Sequence, residues 1–417
     1  MNLLLQSSSI QHPASIKITG SKSETNRLLL LQALYPNLVL DNTSNSDDSE
    51  VMLKALQNFQ LPTSNFQLVD VHHAGTAMRF LTAYFSIQEG KEVVLTGSSR
   101  MKERPIKILV EALNQLGADI SYEENEGFPP IKIIGKKLIQ NKVSLPANVS
   151  SQYISALLLI APKLENGLEL TLEGEITSVP YIKMTLTLLN EIGVKTSFVG
   201  NKISVKPKFT IHNSQFTIES DWSSASYWYS IVALSEIGIQ ISLSSYKENS
   251  LQGDSALVEI YQDFGVETTF NSDNSITISK ERIHNSQLTT HNSQLNNSPD
   301  IAQTIAVTCF GLGMGCDLTG LHTLKIKETD RLEALKMELT KLGAEISVTN
   351  DSLYLKSSSA IKEKISISTY QDHRMAMAFA PLALKVPIII ENAEVVSKSY
   401  PSFWEDLKSV GFDVNEI

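Results

Sequence analysis

Cysteine is nearly absent from this chain, which has two in 417 residues. Cys309 and Cys316 lie in an apolar, glycine-rich segment, without CxxC spacing and without a histidine cluster nearby. This pattern argues against a metal site, a redox motif and a disulfide scaffold. We therefore expect no bound metal and a reducing, cytoplasmic location.

Long apolar runs and an excess of positive charge are absent as well. No apolar run reaches the roughly 18 residues of a membrane span, and residues 1–11 hold no basic side chain, unlike a secretory signal. The formal net charge of −10 argues against nucleic acid or an anionic membrane as a partner. A small anionic substrate stays compatible, because many cations gather in short polar blocks. These are Lys22, Arg27, Arg79, Arg100, Lys102, Arg104, Lys327, Arg331, Arg374 and Lys398.

A repeat of about 70 residues organises the chain. At five places an amphipathic helix pattern ends at a glycine and leads into a strand-like stretch. Glycine suits the left-handed position just past a helix end. These glycines are Gly117, Gly193, Gly265, Gly343 and Gly411. A weaker copy without the glycine surrounds Phe59.

Six further segments open with polar residues and continue as apolar runs, which is typical of helices buried on most sides. They begin at Lys22, Gly75, Ser151, Ser224, Asp300 and His373. Short β patterns such as 93–95 and 388–390 lie between the helices. The sequence thus predicts an α/β fold of six strand–helix–strand–helix–strand–strand units. A chain of 417 residues exceeds a single core, so we expect two domains of three units each.

The starts of the predicted helices carry cations that ordinary capping does not explain. Ser, Thr, Asp and Asn satisfy free N–H groups there, whereas Lys and Arg oppose the helix dipole. Four of the five residues from Lys327 to Arg331 are charged, directly before an apolar-periodic helix. Taken alone, this block also fits a solvated, capped helix start. The recurrence of cations at several starts favours a site for phosphate or carboxylate.

Residues 284–298 are rich in Asn, Ser and Gln and poor in hydrophobic residues. This composition predicts an exposed, flexible loop between two units. A His-Asn-Ser-Gln motif begins at His212, His284 and His291. No acidic or cysteine residues accompany these histidines, which disfavours a metal site.

Ten short blocks follow the order of a known family. They are GSKSETNR at 20–27, AGTAMR at 74–79, RMKERP at 100–105, SSQ at 150–152, SVPYI at 178–182, SSASY at 223–227, NSLQGD at 249–254, KETDR at 327–331, DHRMAM at 372–377 and SKSYP at 397–401. With these blocks the chain resembles the EPSP synthases (5-enolpyruvylshikimate-3-phosphate synthases) of the enolpyruvyl transferase family. The likeness runs from Gly20 to Lys398.

The resemblance implies a two-domain inside-out α/β barrel with three βαβαββ units in each domain. Residues 1–19 and 220–417 would form a discontinuous domain that carries Asp300, Glu328 and His373, and residues 20–219 an inserted domain. The implied reaction moves the enolpyruvyl group of phosphoenolpyruvate to the 5-hydroxyl of shikimate 3-phosphate, through a tetrahedral intermediate, with release of phosphate. This step belongs to the shikimate pathway of aromatic amino acid biosynthesis. It uses no cofactor and no metal, and we expect a cytoplasmic monomer.

The resemblance also implies which residues form the site. Shikimate 3-phosphate would be bound by Lys22, Ser23, Arg27, Ser150, Ser151, Gln152, Ser178, Tyr181, Asp300, Thr323 and Lys327. Phosphoenolpyruvate would be bound by Lys22, Gly75, Thr76, Arg104, Gln152, Arg331, Arg374 and Lys398. Asp300 would be the base for the 5-hydroxyl, and Glu328 and Lys22 would move protons at the methyl carbon with support from His373. Arginine's planar fork suits carboxylate and phosphate, in agreement with this assignment.

Some positions depart from the family pattern, and two alternatives to this assignment exist. His73 stands where the family commonly has Asn, Phe80 where it has Pro, and Thr323 and Val179 where some members place Asn and Lys. The sister enzyme acting on UDP-N-acetylglucosamine uses a loop cysteine, whereas this chain has none before Cys309. An inactive repeat scaffold would be expected to have lost the charged site residues, which are all present.

Overall fold

The chain separates into two compact units. The computed structural model describes residues 1–6, 10, 13–59, 66–147, 150–174, 176, 179–282 and 289–417. The discontinuous unit comprises Met1–Gly20 and Glu219–Ile417, and the inserted unit comprises Ser21–Ile218. Each boundary lies one residue from the position that the sequence predicts.

Within its described residues, the inserted unit has two four-stranded sheets and one parallel pair of strands. One sheet has the strand order Phe66–Asp70, Glu92–Thr96, Ile131–Ile134 and Asp119–Tyr122, and the other Lys142–Pro146, Leu168–Glu173, Lys202–Val205 and Thr196–Val199. The parallel pair is Leu38–Asp41 and Ser214–Thr217. The helices are Lys22–Leu34, Asp47–Phe59, Gly75–Ser86, Ser99–Lys102, Lys107–Gln115, Ser151–Ile160 and Val179–Glu191, with a 3-10 turn at Ala161–Lys163.

The discontinuous unit has three four-stranded sheets in its described residues. Their strand orders are Ala14–Ile16, Gln240–Leu243, Ile276–Lys280 and Val266–Phe270; then Thr290–Gln294, Gly315–Thr319, Leu353–Leu355 and Ile346–Val348; and finally Ile365–Ile367, Ile388–Ile390, Leu3–Gln6 and Asp413–Glu416. The α-helices are Trp222–Leu234, Leu257–Ile260, Ala302–Gly311, Arg331–Leu342, His373–Phe379 and Phe403–Ser409. The 3-10 helices are Gly253–Ala256, Tyr261–Phe264, Pro299–Ile301, His322–Ile326, Ala380–Leu384 and Ala393–Lys398.

All five of these four-stranded sheets share one pattern of strand pairing: the first two strands are parallel and the other two add antiparallel, as in the sheet of Phe66–Asp70 and Glu92–Thr96. In four of these sheets a buried helix joins the two parallel strands directly. Between Ala14–Ile16 and Gln240–Leu243, the chain first forms the inserted unit and then helix Trp222–Leu234. The N-terminal residues complete two sheets: Leu3–Gln6 lies between two late strands, and Ala14–Ile16 pairs in parallel with Gln240–Leu243. The predicted α/β fold of repeated βαβαββ units is therefore confirmed.

The buried helices follow the predicted segments. In helix Trp222–Leu234 every residue except Ser223 is buried, which agrees with its apolar composition. The five repeated glycines all have positive φ, from +72° at Gly265 to +105° at Gly343. Their left-handed backbone is the conformation that glycine adopts at least cost, so the predicted helix ends are confirmed.

The prediction of a flexible loop over 284–298 is wrong for part of that range. Residues 284–288 lie outside the described residues, but Thr290–Gln294 forms a strand that pairs in parallel with Gly315–Thr319. His291, inside this strand, is buried and its Nδ1 lies 2.9 Å from Oδ2 of Asp263. The polar composition misled because backbone pairing to a hydrophobic neighbour strand, rather than side-chain hydrophobicity, orders this segment.

Two absences concern the described residues only. No helix among them is both long enough and apolar enough to span a bilayer. No three His, Cys, Asp or Glu side chains of this part of the chain are grouped in a way that could hold a metal ion.

Candidate active site

In the inserted unit, Lys22 is the first residue of a buried helix and is paired with a carboxylate. Its Nζ lies 3.2 Å from Oδ2 of Asp48, a residue in the first turn of helix Asp47–Phe59. Nε2 of His73 lies 3.9 Å from the other oxygen of Asp48. The side chain of Lys22 is mostly buried, so Asp48 compensates a charge that is partly removed from water.

Arg27 lies one helical turn further on, buried among neutral acceptors. Its guanidinium donates to Oγ1 of Thr185 at 2.8 Å, to Oγ of Ser155 at 2.9 Å and to the carbonyl of Ser23 at 2.7 Å. Burial lowers the pKa of Arg27 to about 10, which still leaves it charged at neutral pH. The Phe80 ring lies 5.4 Å from the guanidinium carbon, so this departure from the family pattern supplies a cation–π contact.

Gly75 and Arg104 are in direct contact. A Cβ placed on Gly75 would lie 2.6 Å from Nη1 of Arg104, so only glycine lets the guanidinium rest on this helix start. Next to it, Nε2 of Gln152 donates to Oγ1 of Thr76 at 3.1 Å. A predicted cation, a predicted glycine and two predicted polar groups thus meet within one unit.

The serine block at 150–152 begins helix Ser151–Ile160. Oγ of Ser150 accepts from the backbone N–H of Gln152 at 3.4 Å, and Ser151 is buried. The carbonyl of Tyr181 accepts from Arg27 at 3.4 Å, and its ring lies 5.9 Å from the guanidinium carbon. Ser178, also predicted for this site, lies outside the described residues.

Arg79 belongs to the same polar blocks, and its side chain is buried and bonded to backbone carbonyls. Its guanidinium donates to the carbonyl of Pro105 at 2.9 Å and to that of Gly75 at 3.2 Å. Tyr153 donates its hydroxyl to the same Pro105 carbonyl at 2.6 Å. These bonds fasten the segment that carries Arg104.

In the discontinuous unit, Arg331 is the centre of an ion-pair network. Nη1 lies 2.9 Å from Asp300, Nη2 lies 2.8 Å from Glu328, and Nε lies 2.7 Å from Asp372. The side chain of Arg331 is only 2% exposed. Burial alone would lower its pKa, but the three carboxylates together raise the pKa of Arg331 above its ordinary value.

Asp300 contacts two further predicted cations of this unit, Lys327 and Arg374. Nζ of Lys327 lies 3.4 Å from Oδ1, and Nη2 of Arg374 lies 3.3 Å from Oδ2. Arg374 also donates to the carbonyl of Asp300 at 3.1 Å. Burial alone would raise the pKa of Asp300, but the positive charges around it outweigh this effect and hold the pKa well below its usual range. The carboxylate is thus ionised at neutral pH, and the surrounding positive charges make it a weaker base than a free aspartate.

The other predicted residues of this unit lie on adjoining elements. His373 and Arg374 open helix His373–Phe379, and Nδ1 of His373 lies 3.9 Å from Asp372. Nζ of Lys398 donates to the carbonyl of Gln371 at 2.7 Å, two residues before that helix. Thr323 lies in the 3-10 helix His322–Ile326, just before Lys327.

Four residues of these clusters were not among the predicted site residues. Asp48 and Asp372 are counter-ions to Lys22 and Arg331, and Asp372 also caps helix His373–Phe379 by accepting from the N–H of Arg374 at 2.9 Å. Ser223 accepts from Arg374 at 3.3 Å and donates to the carboxylate of Asp254. Ser223 and Asp254 lie in the SSASY and NSLQGD blocks, so their motifs were visible, although nothing in the sequence linked them to Arg374.

The repeated fold and the cation-rich helix starts together define the class. A solved EPSP synthase from Acinetobacter baumannii matches with a TM-score of 0.78 at 20% identity, covering all of both chains. The enolpyruvyl transferase NikO from Streptomyces tendae matches with a TM-score of 0.73 at 13% identity, over 99% of this chain and 98% of that one. The fold is that of the enolpyruvyl transferases.

Sequence similarity narrows the class to one family. The family model for EPSP synthase (3-phosphoshikimate 1-carboxyvinyltransferase) matches residues 60–407. A Bacteroides fragilis protein named 3-phosphoshikimate 1-carboxyvinyltransferase is 46% identical over 99% of both chains. A Haemophilus influenzae protein of the same name is 36% identical over 95% of this chain and 96% of its own. The chain belongs to the EPSP synthase family, as the motif blocks predict.

Proposed function

We propose that this chain transfers the enolpyruvyl group of phosphoenolpyruvate to the 5-hydroxyl of shikimate 3-phosphate, releasing phosphate. The similarity to full-length relatives named 3-phosphoshikimate 1-carboxyvinyltransferase, at 46% identity, carries the proposal. The charged clusters support it, because two anionic substrates need several cations and the addition needs a base. This reaction is a step of the shikimate pathway of aromatic amino acid biosynthesis.

The cluster around Asp300 supports the chemistry of the addition. In the proposed reaction, Asp300 takes the proton of the 5-hydroxyl as that oxygen bonds to C2 of phosphoenolpyruvate, while Glu328 or Lys22 protonates C3. The tetrahedral intermediate then loses a proton from the same methyl carbon, the C2–O bond to phosphate breaks, and the enol ether forms. The cations that lower the pKa of Asp300 would be partly neutralised by the bound anions, which makes Asp300 a stronger base when substrates are present.

The assignment of side chains to substrates is part of the proposal. The buried guanidinium of Arg27, the serines of 150–151 and Lys327 suit shikimate 3-phosphate. Arg104 resting on Gly75, together with Arg331, Arg374 and Lys398, suits phosphoenolpyruvate. Each of these cations except Lys398 lies at or within about a turn of a helix start, or rests on one, where free N–H groups add to the attraction for anions.

The substrate requirement tests the function directly. Purified protein should release inorganic phosphate only when both phosphoenolpyruvate and shikimate 3-phosphate are present, at a rate proportional to enzyme concentration. Each substrate alone is the control. Release with UDP-N-acetylglucosamine instead of shikimate 3-phosphate would overturn the acceptor, and no release with either acceptor would support an inactive scaffold.

We further propose that the protein acts as a monomer in the cytoplasm. The small number of cysteines supports a reducing compartment. Light scattering after size exclusion should give the 46.0 kDa of one chain. A mass of twice that value would contradict the monomer.

A further inference from the structure

Asp254 is a buried carboxyl group for which the proposed reaction has no role. It lies in the 3-10 helix Gly253–Ala256 and its side chain is almost fully buried. Oδ2 accepts from the hydroxyl of Ser223, and Oδ1 has no hydrogen-bond partner in the described part of the chain. A carboxylate oxygen that is buried without a hydrogen-bond partner costs free energy. The presence of such a group in the fold therefore calls for a structural or functional explanation.

The hydroxyl of Ser223 connects Asp254 to Arg374 by two hydrogen bonds. Ser223 lies in the first turn of helix Trp222–Leu234, where Oγ accepts from Nη2 of Arg374 at 3.3 Å. The same Nη2 lies 3.3 Å from Oδ2 of Asp300. The hydrogen-bond chain therefore runs from Asp254 through Ser223 to Arg374. Asp300 forms an ion pair with the same guanidinium nitrogen.

We propose that Asp254 is a positioning residue for Arg374, acting through the hydroxyl of Ser223, so that the guanidinium has a second anchor beside Asp300 and is oriented for an anionic ligand. This inference rests on the proposed function, in which Arg374 binds phosphoenolpyruvate. Asp254 touches neither substrate in this scheme.

The physical reason is the single proton of the serine hydroxyl. When that proton points to Asp254, the lone pairs of Ser223 face Arg374, and the negative carboxylate strengthens the hydroxyl as an acceptor. Without Asp254 the hydroxyl can turn, and Arg374 keeps Asp300 as its main anchor. Burial first and the charge of Asp300 second raise the pKa of Asp254 above its ordinary value, whereas Arg374 and the hydrogen bond from Ser223 favour the ionised form. The charged groups facing it are Asp300, Arg374 and Asp221.

A double-mutant cycle tests the chain of contacts. Ser223→Ala and Asp254→Ala should each raise the KM for phosphoenolpyruvate by roughly tenfold, the cost of one hydrogen bond to a charged group. The KM for shikimate 3-phosphate should change less than about twofold. Because the two residues act in series, the double variant should resemble either single variant. Asp254→Asn, whose amide oxygen can accept from Ser223, should recover at least half of the loss.

Glu338→Gln is the matched control, since Glu338 is another buried carboxylate of this unit, paired with Lys341 at 2.7 Å. It should leave both KM values unchanged, and unfolding midpoints should show that every variant is folded. Effects that multiply in the double variant, or equal rises in both KM values, would overturn the inference. Turnover of the wild-type protein tests the proposed function separately. If the wild type shows no turnover, calorimetric binding of phosphoenolpyruvate to the same variants tests whether Asp254 and Ser223 position Arg374.

Discussion

Most cations of the two clusters already have hydrogen-bond or ion-pair partners inside their own unit. Arg331 contacts three carboxylates, and Lys22 contacts Asp48. A buried charge without a partner would cost several kcal/mol, so these contacts let guanidinium and ammonium groups stay charged at the proposed ligand site. A bound anion then shares cations that are already oriented, which lowers the cost of ordering them on binding.

Asp300 gives the sharpest prediction at this scale. Asp300→Asn keeps the volume but removes the proposed base and one negative charge from beside Lys327 and Arg374. We expect turnover to fall by about two to four orders of magnitude, while the KM for phosphoenolpyruvate stays the same or decreases. Steady-state phosphate release measures both values. Asp317→Asn, a carboxylate on strand Gly315–Thr319, is the control, and near-normal turnover of the Asp300 variant would remove this residue from the mechanism.

Gly75 gives a second prediction. In Gly75→Ala the new Cβ would lie 2.6 Å from Nη1 of Arg104, and the flexible guanidinium should move rather than the backbone. Loss of one charge-assisted contact predicts a rise of roughly tenfold in the KM for phosphoenolpyruvate with an unchanged unfolding midpoint. The same change in an Arg104→Ala background should have no further effect. A further loss there would show that Gly75 acts by another route.

Sequence reasoning found the cations more readily than their counter-ions. Helix starts that carry Lys or Arg stand out because they oppose the dipole, and these positions include Lys22, Arg331 and Arg374. Asp372 lies 41 residues from Arg331, and Arg374 lies 151 residues from Ser223. Such partners are joined only by the fold, and a single sequence contains no signal for their distance.

At the scale of elements, helix ends are set by glycine. Gly343 ends helix Arg331–Leu342 in the left-handed conformation, and its N–H donates to the carbonyl of Thr340 at 3.0 Å. The equivalent glycines, Gly117, Gly193, Gly265 and Gly411, follow helix ends in other βαβαββ repeats. The sequence was most informative here, because a left-handed turn has a strong local residue preference that needs no tertiary contact.

Gly343→Ala should therefore be destabilising through the backbone alone. Atoms near the new Cβ would be no closer than 3.8 Å, but φ at this position is +105°. The strain of a left-handed alanine predicts a loss of about 1–2 kcal/mol in the free energy of unfolding. Urea denaturation measures it. Thr340→Ala, an exposed change in the same helix, should cost less than about 0.5 kcal/mol, and an equal loss in both variants would contradict the role of φ.

At the scale of the whole molecule, segments that are far apart in the sequence pair with each other. Ser214–Thr217 pairs with Leu38–Asp41, and Gly20 forms a β-bridge with Ser220, where the chain passes from one unit to the other. Periodicity predicted the number of units, since each repeat has its own helix and glycine signals. It could not predict that Thr290–Gln294 is a strand, because that strand is held by pairing with Gly315–Thr319 and carries little hydrophobic signal of its own.

The first strand, Leu3–Gln6, should be essential to a unit most of whose residues lie at 219–417. Leu3–Gln6 pairs with Ile388–Ile390 on one side and with Asp413–Glu416 on the other, and the side chain of Leu5 is fully buried. Leu5→Ala should lower the free energy of unfolding by about 2–5 kcal/mol, because it opens a cavity in a core built by both segments. Leu4 points to the opposite, partly exposed face of the same strand, so Leu4→Ala should cost below about 1 kcal/mol. Urea denaturation measures the free energy of unfolding of both variants, which differ in the burial of the changed side chain and share the same strand pairing. Equal losses in the two variants would contradict the prediction that the buried face of this strand stabilises its unit.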